Sequence, residues 1–466
     1  MVRGRDDRWI LGDGRCSDHP LPRPATALMP RRIVDRTRGE LVATLLAGVQ
    51  WLFFLFANTV VIPLSIGRAF HLAPAVVTAS VDRSFVLTGL ACLLQVGIGH
   101  RLPLLEGSTG LWWAALLDIA VGAGATGQAA GRLGGELAVG IVVAGALVGV
   151  LGALSLGPSL RRLFSPVVMS AFYFLLAAQL VGIFVRGMVG LADGSHIQPR
   201  VALLSFGLVA LVMALSLAGR GLVANFALLI GIAVGWPAFR LIIPSRTPDP
   251  APAGAALFGL FPWGAPALDA GVIATAVFIG LLNTTNTVAS LEGAEELYGT
   301  PSRADQYRRS FLVTGMVTVL AGILGLVPYG PYTSTLGFLR TTRILARAPF
   351  ALGALLFILL GAIPALGRVF STLPLSVGDA VLFVAYLQLF GSALARLEGL
   401  RFSSRTVYRI AAPVLLGLAV MTMPAAVWTS LPGALRPLLG NGLVVGIILA
   451  IVLDNAVRWD RVEAQR

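Results

Sequence analysis

Lysine is missing from this chain: all 35 basic residues among its 466 are arginine. With abundant Ala and Gly beside them, that choice reads as base composition rather than function. Cysteine occurs twice, as Cys16 in a polar leader and Cys92 in an apolar run, which leaves neither a disulfide framework nor a thiolate metal cluster available. Histidine occurs four times and never after His196, so a histidine relay in the second half is excluded. Charged residues make up 12% of the chain, and no stretch is polar for long enough to form a separate soluble domain. No nucleophile–base pair at useful spacing points to an enzyme, and no resident cofactor is expected.

What is present is apolar. Hydrophobic residues account for 56% of the chain, and the mean hydropathy is +0.85, the profile of an all-α polytopic membrane protein. The net charge of +13 is spread through short loops between apolar runs rather than gathered on one face. It reads as a determinant of topology, not as a nucleic-acid surface. Residues 1–40 are rich in Arg, Asp and Pro and lack the apolar core of a signal peptide, so they are expected to be a disordered cytoplasmic segment. Met29, followed by Pro30, Arg31 and Arg32, is an alternative start.

Apolar windows recur at Leu41 to Ile66, Phe85 to Ile98, Leu102 to Ala120, Leu137 to Leu156, Val167 to Val185, Val201 to Leu217 and Leu222 to Ile242. A second set runs Val272 to Leu291, Phe311 to Leu326, Val327 to Ile344, Phe350 to Leu366, Leu373 to Leu389, Ile410 to Met423 and Leu438 to Leu453. The expected architecture is therefore fourteen spans, seven in residues 41–243 and seven in 271–455, with a cytoplasmic tail at 456–466. Arginine clusters such as Arg161 with Arg162, Arg308 with Arg309, and Arg396 to Arg409 fall on alternate connections, which puts both termini on the cytoplasmic side. An odd number of spans per half inverts the second half against the first.

Two windows carry the same interruption. In the third, RLPLLEGSTGLWWAAL sets Pro103 and Gly107 before Ser108, Thr109 and an apolar helix. In the tenth, VPYGPYTSTLGFLRTTR sets Pro328, Gly330 and Pro331 before Ser334, Thr335 and Gly337. Each predicts a short extended piece followed by a half-helix, because an uninterrupted helix tolerates these residues poorly. Non-helical backbone at membrane depth survives only where protein buries it or where it lines a cavity. Paired interruptions in corresponding positions of two halves point to a midplane site, at which the half-helix N-termini aim their N–H groups.

At these residues the chain resembles nucleobase-cation symporter family 2, the nucleobase-ascorbate transporters or uracil-xanthine permeases. Besides the two stretches above, AGVQWLFFLFANTVVIPL, LLNTTNTVASLEGAEEL and LPLSVGDAVLF carry the resemblance, which covers about residues 40 to 455. Of the family's tenth-span signature, Gly337, Thr342 and Arg343 match. Its first two positions depart, with Ser334 in place of Gln or Glu and Thr335 in place of Asn. The resemblance implies a core domain (spans 1–4 and 8–11), a gate domain (spans 5–7 and 12–14), a homodimer in the cell membrane, and elevator-type import of a purine or pyrimidine base. It also implies coupling to a proton or, in some members, to sodium.

The family's base-binding acid in the eighth span aligns with Asn283, which can still read a lactam edge but cannot titrate. Ser334, Thr335, Ser108, Thr109, Gln50 and Asn286 are the further expected substrate-site residues, with Thr335 expected to support the loop. Tyr332 is placed to stack on a flat ring. Against these stand plainer readings: interhelical hydrogen bonding for Asn283 and Asn286, and helix packing for Tyr332. Where the family often has an aromatic, the third span has Gly110; Trp112 or Trp113 is expected either to replace it or to anchor at the interface. With the usual acids absent, Glu106 is the expected proton site, since a carboxylate at membrane depth is expensive and usually functional. An ion pair with Arg101 is the alternative role. An anion transporter of the related sulfate-permease architecture is the second functional reading.

Overall fold

The computed structural model describes residues 38–125, 129–156, 164–191, 196–243, 259–432, 435–457 and 459. The expected disorder of the leader, the charges at Arg161 and Arg162, and nearly all of the tail fall outside these residues. The compact unit runs over Val42–Arg466.

The first half consists of α1 (Arg38–Thr59), α2 (Val61–Ala69), α3 (Pro74–Gly97), β1 (Glu106–Ser108), α4 (Gly110–Ala125), α5 (Ala130–Ala153), α6 (Pro166–Met188), α7 (Pro199–Ala218) and α8 (Ala227–Ile242). The second consists of α9 (Ala270–Tyr298), α10 (Ala304–Leu324), β2 (Tyr329–Pro331), α11 (Ser334–Thr342), α12 (Arg347–Gly361), α13 (Pro364–Phe370), α14 (Leu375–Ala395), α15 (Ser404–Thr422) and α16 (Gly442–Ala456). Helix starts follow local chemistry. Pro occupies the first turn of α3, α6, α7 and α13, where its missing N–H costs nothing. Asp269 and Asn441 cap α9 and α16 by accepting from the N–H groups of Val272 and Val444 at 2.9 and 3.0 Å.

Among the described residues, nine helical segments are long and apolar enough to cross a membrane, and the α12–α13 pair, bent by 88°, makes a tenth. The remaining expected segments are shorter: α4, α8, α16, and the β2–α11 piece. The second span starts earlier than its apolar window, at Pro74 rather than Phe85. Asp82 and Arg83 hid its first half from a hydropathy reading, yet both are buried in the helix.

Small residues let the core helices approach closely on both sides of the pseudo-symmetric arrangement. Where α5 crosses α10, a Cβ on Gly315 would lie 2.5 Å from the Gly149 backbone nitrogen. Where α3 crosses α12, a Cβ on Gly89 would lie 2.6 Å from the Ala354 carbonyl. A Gly315→Ala substitution is therefore expected to destabilise the protein by about 1–3 kcal/mol through overpacking. Gly391→Ala, on a face of α14 where a Cβ meets nothing within 4 Å, is the control. Thermal unfolding in detergent should show a lowered midpoint for the first and none for the second.

Candidate functional site

The two interrupted stretches meet. β1 and β2 pair antiparallel, with Glu106 opposite Pro331, Gly107 opposite Gly330, and Ser108 opposite Tyr329. The chain on either side extends the pairing: Thr109 N–H donates to the Pro328 carbonyl at 3.0 Å, and Tyr332 N–H to the Leu105 carbonyl at 2.9 Å. Side chains complete it, since Ser108 Oγ donates to the Val327 carbonyl at 3.1 Å and Leu105 N–H donates to Thr335 Oγ1 at 3.3 Å. Ser108 and Thr335 are thus occupied in satisfying backbone that water cannot reach at this depth.

Alternation along the strands gives the pair two chemically different faces. One carries Glu106, Ser108, Tyr329 and Pro331 toward α3 and α10. There Glu106, with no exposed surface, accepts from Thr314 Oγ1 through Oε1 at 2.6 Å, while Oε2 has no hydrogen-bond partner. Gln95 Nε2 donates to the same Thr314 hydroxyl at 3.1 Å. The Tyr329 hydroxyl lies 3.1 Å from Thr88 Oγ1 and donates to the Ser84 carbonyl at 3.3 Å. The alternative of an ion pair between Glu106 and Arg101 is not what forms: Arg101 is exposed and Thr314 is the carboxylate's partner. A narrow cleft with room for little more than a water molecule opens on this side, lined in part by Ser80, Ser84, Ser108 and Val327.

The other face carries Gly107, Gly330, Thr109 and Tyr332. Asn283, on α9 and only 4% exposed, donates through Nδ2 to the Tyr329 carbonyl at 2.8 Å, and its Oδ1 accepts from Asn286 Nδ2 at 3.0 Å. A Cβ on Gly330 would lie 3.0 Å from Asn283 Nδ2 and 2.9 Å from the Thr109 methyl, so only glycine lets the strand come this near α9. Thr109 Oγ1 is buried without a partner. The Tyr332 hydroxyl donates to the Ser108 carbonyl, and its ring lies 3.5 Å from where a Gly107 Cβ would be. Expected site residues are therefore divided by the strands, with Asn283, Asn286, Thr109 and Tyr332 gathered on one face and Glu106 behind it.

The others stand apart. Ser334 is exposed at the start of α11, and Gly337 is exposed with nothing within 4 Å of a built Cβ. Thr342 Oγ1 donates to the Phe338 carbonyl at 2.8 Å, and Arg343 closes α11 in the left-handed conformation at φ 58°. The signature positions Thr342 and Arg343 thus shape a helix end. Gln50 is half-buried on α1, beside a Trp51 enclosed by Phe54, Phe338 and Phe350. Trp112 and Trp113 are interior, which corrects the interface-anchor reading; Trp113 Nε1 donates to Ser65 Oγ at 2.6 Å.

Several participants escaped the sequence reading. Thr314, Gln95 and Thr88 are polar residues in apolar helices, a signal that was there to be read. Tyr386 on α14 gave none, being one aromatic among many, yet it sits directly over Gly110. At the turn between α3 and β1, burial together with the Arg347 charge pushes the imidazole of His100 down to about 3. The ring is accordingly neutral, and its Nδ1 accepts from the Leu102 N–H at 3.1 Å.

A family model, Xan_ur_permease, described as a permease family, matches residues 42–426. The chain belongs to this family. The uric acid permease PucJ of Bacillus subtilis (strain 168) is 25% identical over 429 residues, covering 87% of this chain and 91% of the relative. The xanthine permease of the same organism is 25% identical over 428 residues, covering 88% and 93%. In structure, the permease is similar to the transmembrane domain of a cyanobacterium bicarbonate transporter, BicA, with a TM-score of 0.62, 16% identity, and coverage of 83% of this chain and 97% of that one. SLC26A9 follows with a TM-score of 0.59, 10% identity, and coverage of 89% and 65%. These structural likenesses show a core-and-gate fold. On the division the family resemblance implies, α1–α5 and α9–α13 correspond to the core, and α6–α8 and α14–α16 to the gate.

Proposed function

We propose that this permease imports a nucleobase of the xanthine, uric acid or uracil kind by proton symport, with an elevator-type movement of the core against the gate. The observation that carries the reading is the two-faced strand pair. Its outer face offers the Asn283 amide, the orphan Thr109 hydroxyl and the Tyr332 ring beside two inverted half-helix N-termini, a set suited to a flat, neutral heterocycle with donor and acceptor edges. Its inner face holds Glu106, close enough to feel changes in the strands but screened from the ligand by them. Sodium coupling is the competing form of the same reading.

An anion transporter is favoured less by the local chemistry. The segments 105–109 and 328–333 contain one ionisable acid, Glu106, and no basic residue, so the crossing itself brings no positive side chain to an anion. The arginine distribution supports cytoplasmic termini, and a homodimer follows from the family resemblance.

Uptake of labelled xanthine into proteoliposomes, competed with unlabelled uric acid, guanine, hypoxanthine, adenine and uracil, tests substrate and ion together when run with and without sodium and an uncoupler. Competition by a subset of bases, abolished by uncoupler and indifferent to sodium, is the expected pattern. Uptake that depends on sodium and ignores the uncoupler would replace proton by sodium, and uptake of bicarbonate or sulfate without any base would overturn the reading.

A further inference from the structure

The third span leaves a hole that another domain fills. Gly110, the first residue of α4, has no side chain, and a Cβ built there would lie 2.9 Å from both Cε1 and the hydroxyl oxygen of Tyr386. Tyr386 belongs to α14 in the gate, whereas Gly110 and Tyr332 belong to the core. Its ring is braced by Phe184 at a centroid distance of 5.6 Å and by Trp113 at 6.4 Å. Tyr332 reaches the same end of α4, since its hydroxyl meets the Ser108 carbonyl two residues before Gly110. The Tyr386 hydroxyl donates to no group among the described residues, while that of Tyr332 is tied to the Ser108 carbonyl.

We propose that Tyr386 is a base-contacting residue supplied by the gate: its ring and that of Tyr332 form the two walls between which a nucleobase lies, and Gly110 is glycine so that Tyr386 can occupy this place. The proposal rests on the nucleobase reading of the site. It has a mechanical consequence, because one wall moves with the core and the other stays with the gate. Aromatic stacking on a base is energetically useful and tolerant of base identity, so specificity would be left to the Asn283 edge. The free Tyr386 hydroxyl adds one polar contact at the rim.

The test is an exchange of positions, read as equilibrium binding of labelled xanthine and labelled uric acid to purified protein in detergent. Tyr386→Leu keeps apolar bulk against Phe184 and Trp113 but removes the π-face; affinity is expected to fall at least tenfold, about 1.4 kcal/mol. Tyr386→Phe should fall by threefold or less. Gly110→Phe alone should also lose at least tenfold, because its ring collides with Tyr386. The double variant Gly110→Phe with Tyr386→Ala should recover to within about threefold of the parent, since the wall is then rebuilt from the core side. A double variant weaker than either single change, or a Tyr386→Leu protein with unchanged affinity, overturns the proposal while leaving the nucleobase reading intact. A parent protein that binds no base overturns both. Monodisperse elution and an unfolding midpoint close to the parent's establish that each variant is folded.

Discussion

Replacing Glu106 by Gln is expected to abolish accumulation of base against a gradient when a proton gradient is the driving force, while base-for-base exchange continues. Gln has nearly the shape of Glu, and its amide oxygen can accept from Thr314 Oγ1 as Oε1 does now, so the 2.6 Å contact and the packing against α10 survive. What is lost is the site at Oε2, a buried oxygen with no partner in this structure. An unpartnered carboxylate oxygen in a dry interior costs several kcal/mol if charged and much less if it carries a proton, so its protonation state is sensitive to any movement that admits water. On the proposed function, strand β1 ties that sensitivity to the substrate, because Gly107 on the face toward α9 follows Glu106 directly. The measurement is counterflow and gradient-driven uptake in the same proteoliposomes. Normal accumulation by the Gln variant would remove Glu106 from coupling. Loss of exchange as well as accumulation would make it a structural residue.

The second large effect is at Asn283. Asn283→Ala should weaken binding of every accepted base by tenfold or more, for two reasons that act together. The ligand loses an amide edge, and the Tyr329 carbonyl loses its donor at 2.8 Å in a place water does not reach. An unsatisfied buried carbonyl alone costs about 1–3 kcal/mol. Asn283→Asp separates the two contributions, because a carboxylate keeps an acceptor for Asn286 Nδ2 but sets negative charge against the Tyr329 carbonyl. Displacement of labelled xanthine and labelled uracil should show similar losses for both ligands in Asn283→Ala; unchanged affinity for either would move the site elsewhere.

The sequence by itself determined the class of molecule and the position of its interruptions. Apolar periodicity, arginine on alternate connections, and the paired Pro–Gly breaks before Ser108 and Ser334 follow from rules that act within a span: helix compatibility, transfer into lipid and charge retention. The same local rules explain the largest misplaced boundary, Pro74 rather than Phe85. Asp82 and Arg83 interrupt hydropathy, and only packing shows that a helix can carry them inside a protein interior. Tertiary structure alone decided where each polar residue sits and what it touches. That Glu106 and Asn283 lie on opposite faces of a two-strand crossing depends on a register between segments more than two hundred residues apart, Glu106 against Pro331. Strand register sets side-chain direction with a period of two, so shifting this pairing by one residue would have turned Glu106 toward the face that meets α9. The place over Gly110 was likewise invisible in the chain, because a missing side chain carries no mark of what occupies its space; Tyr386 reaches it from a helix more than 260 residues away.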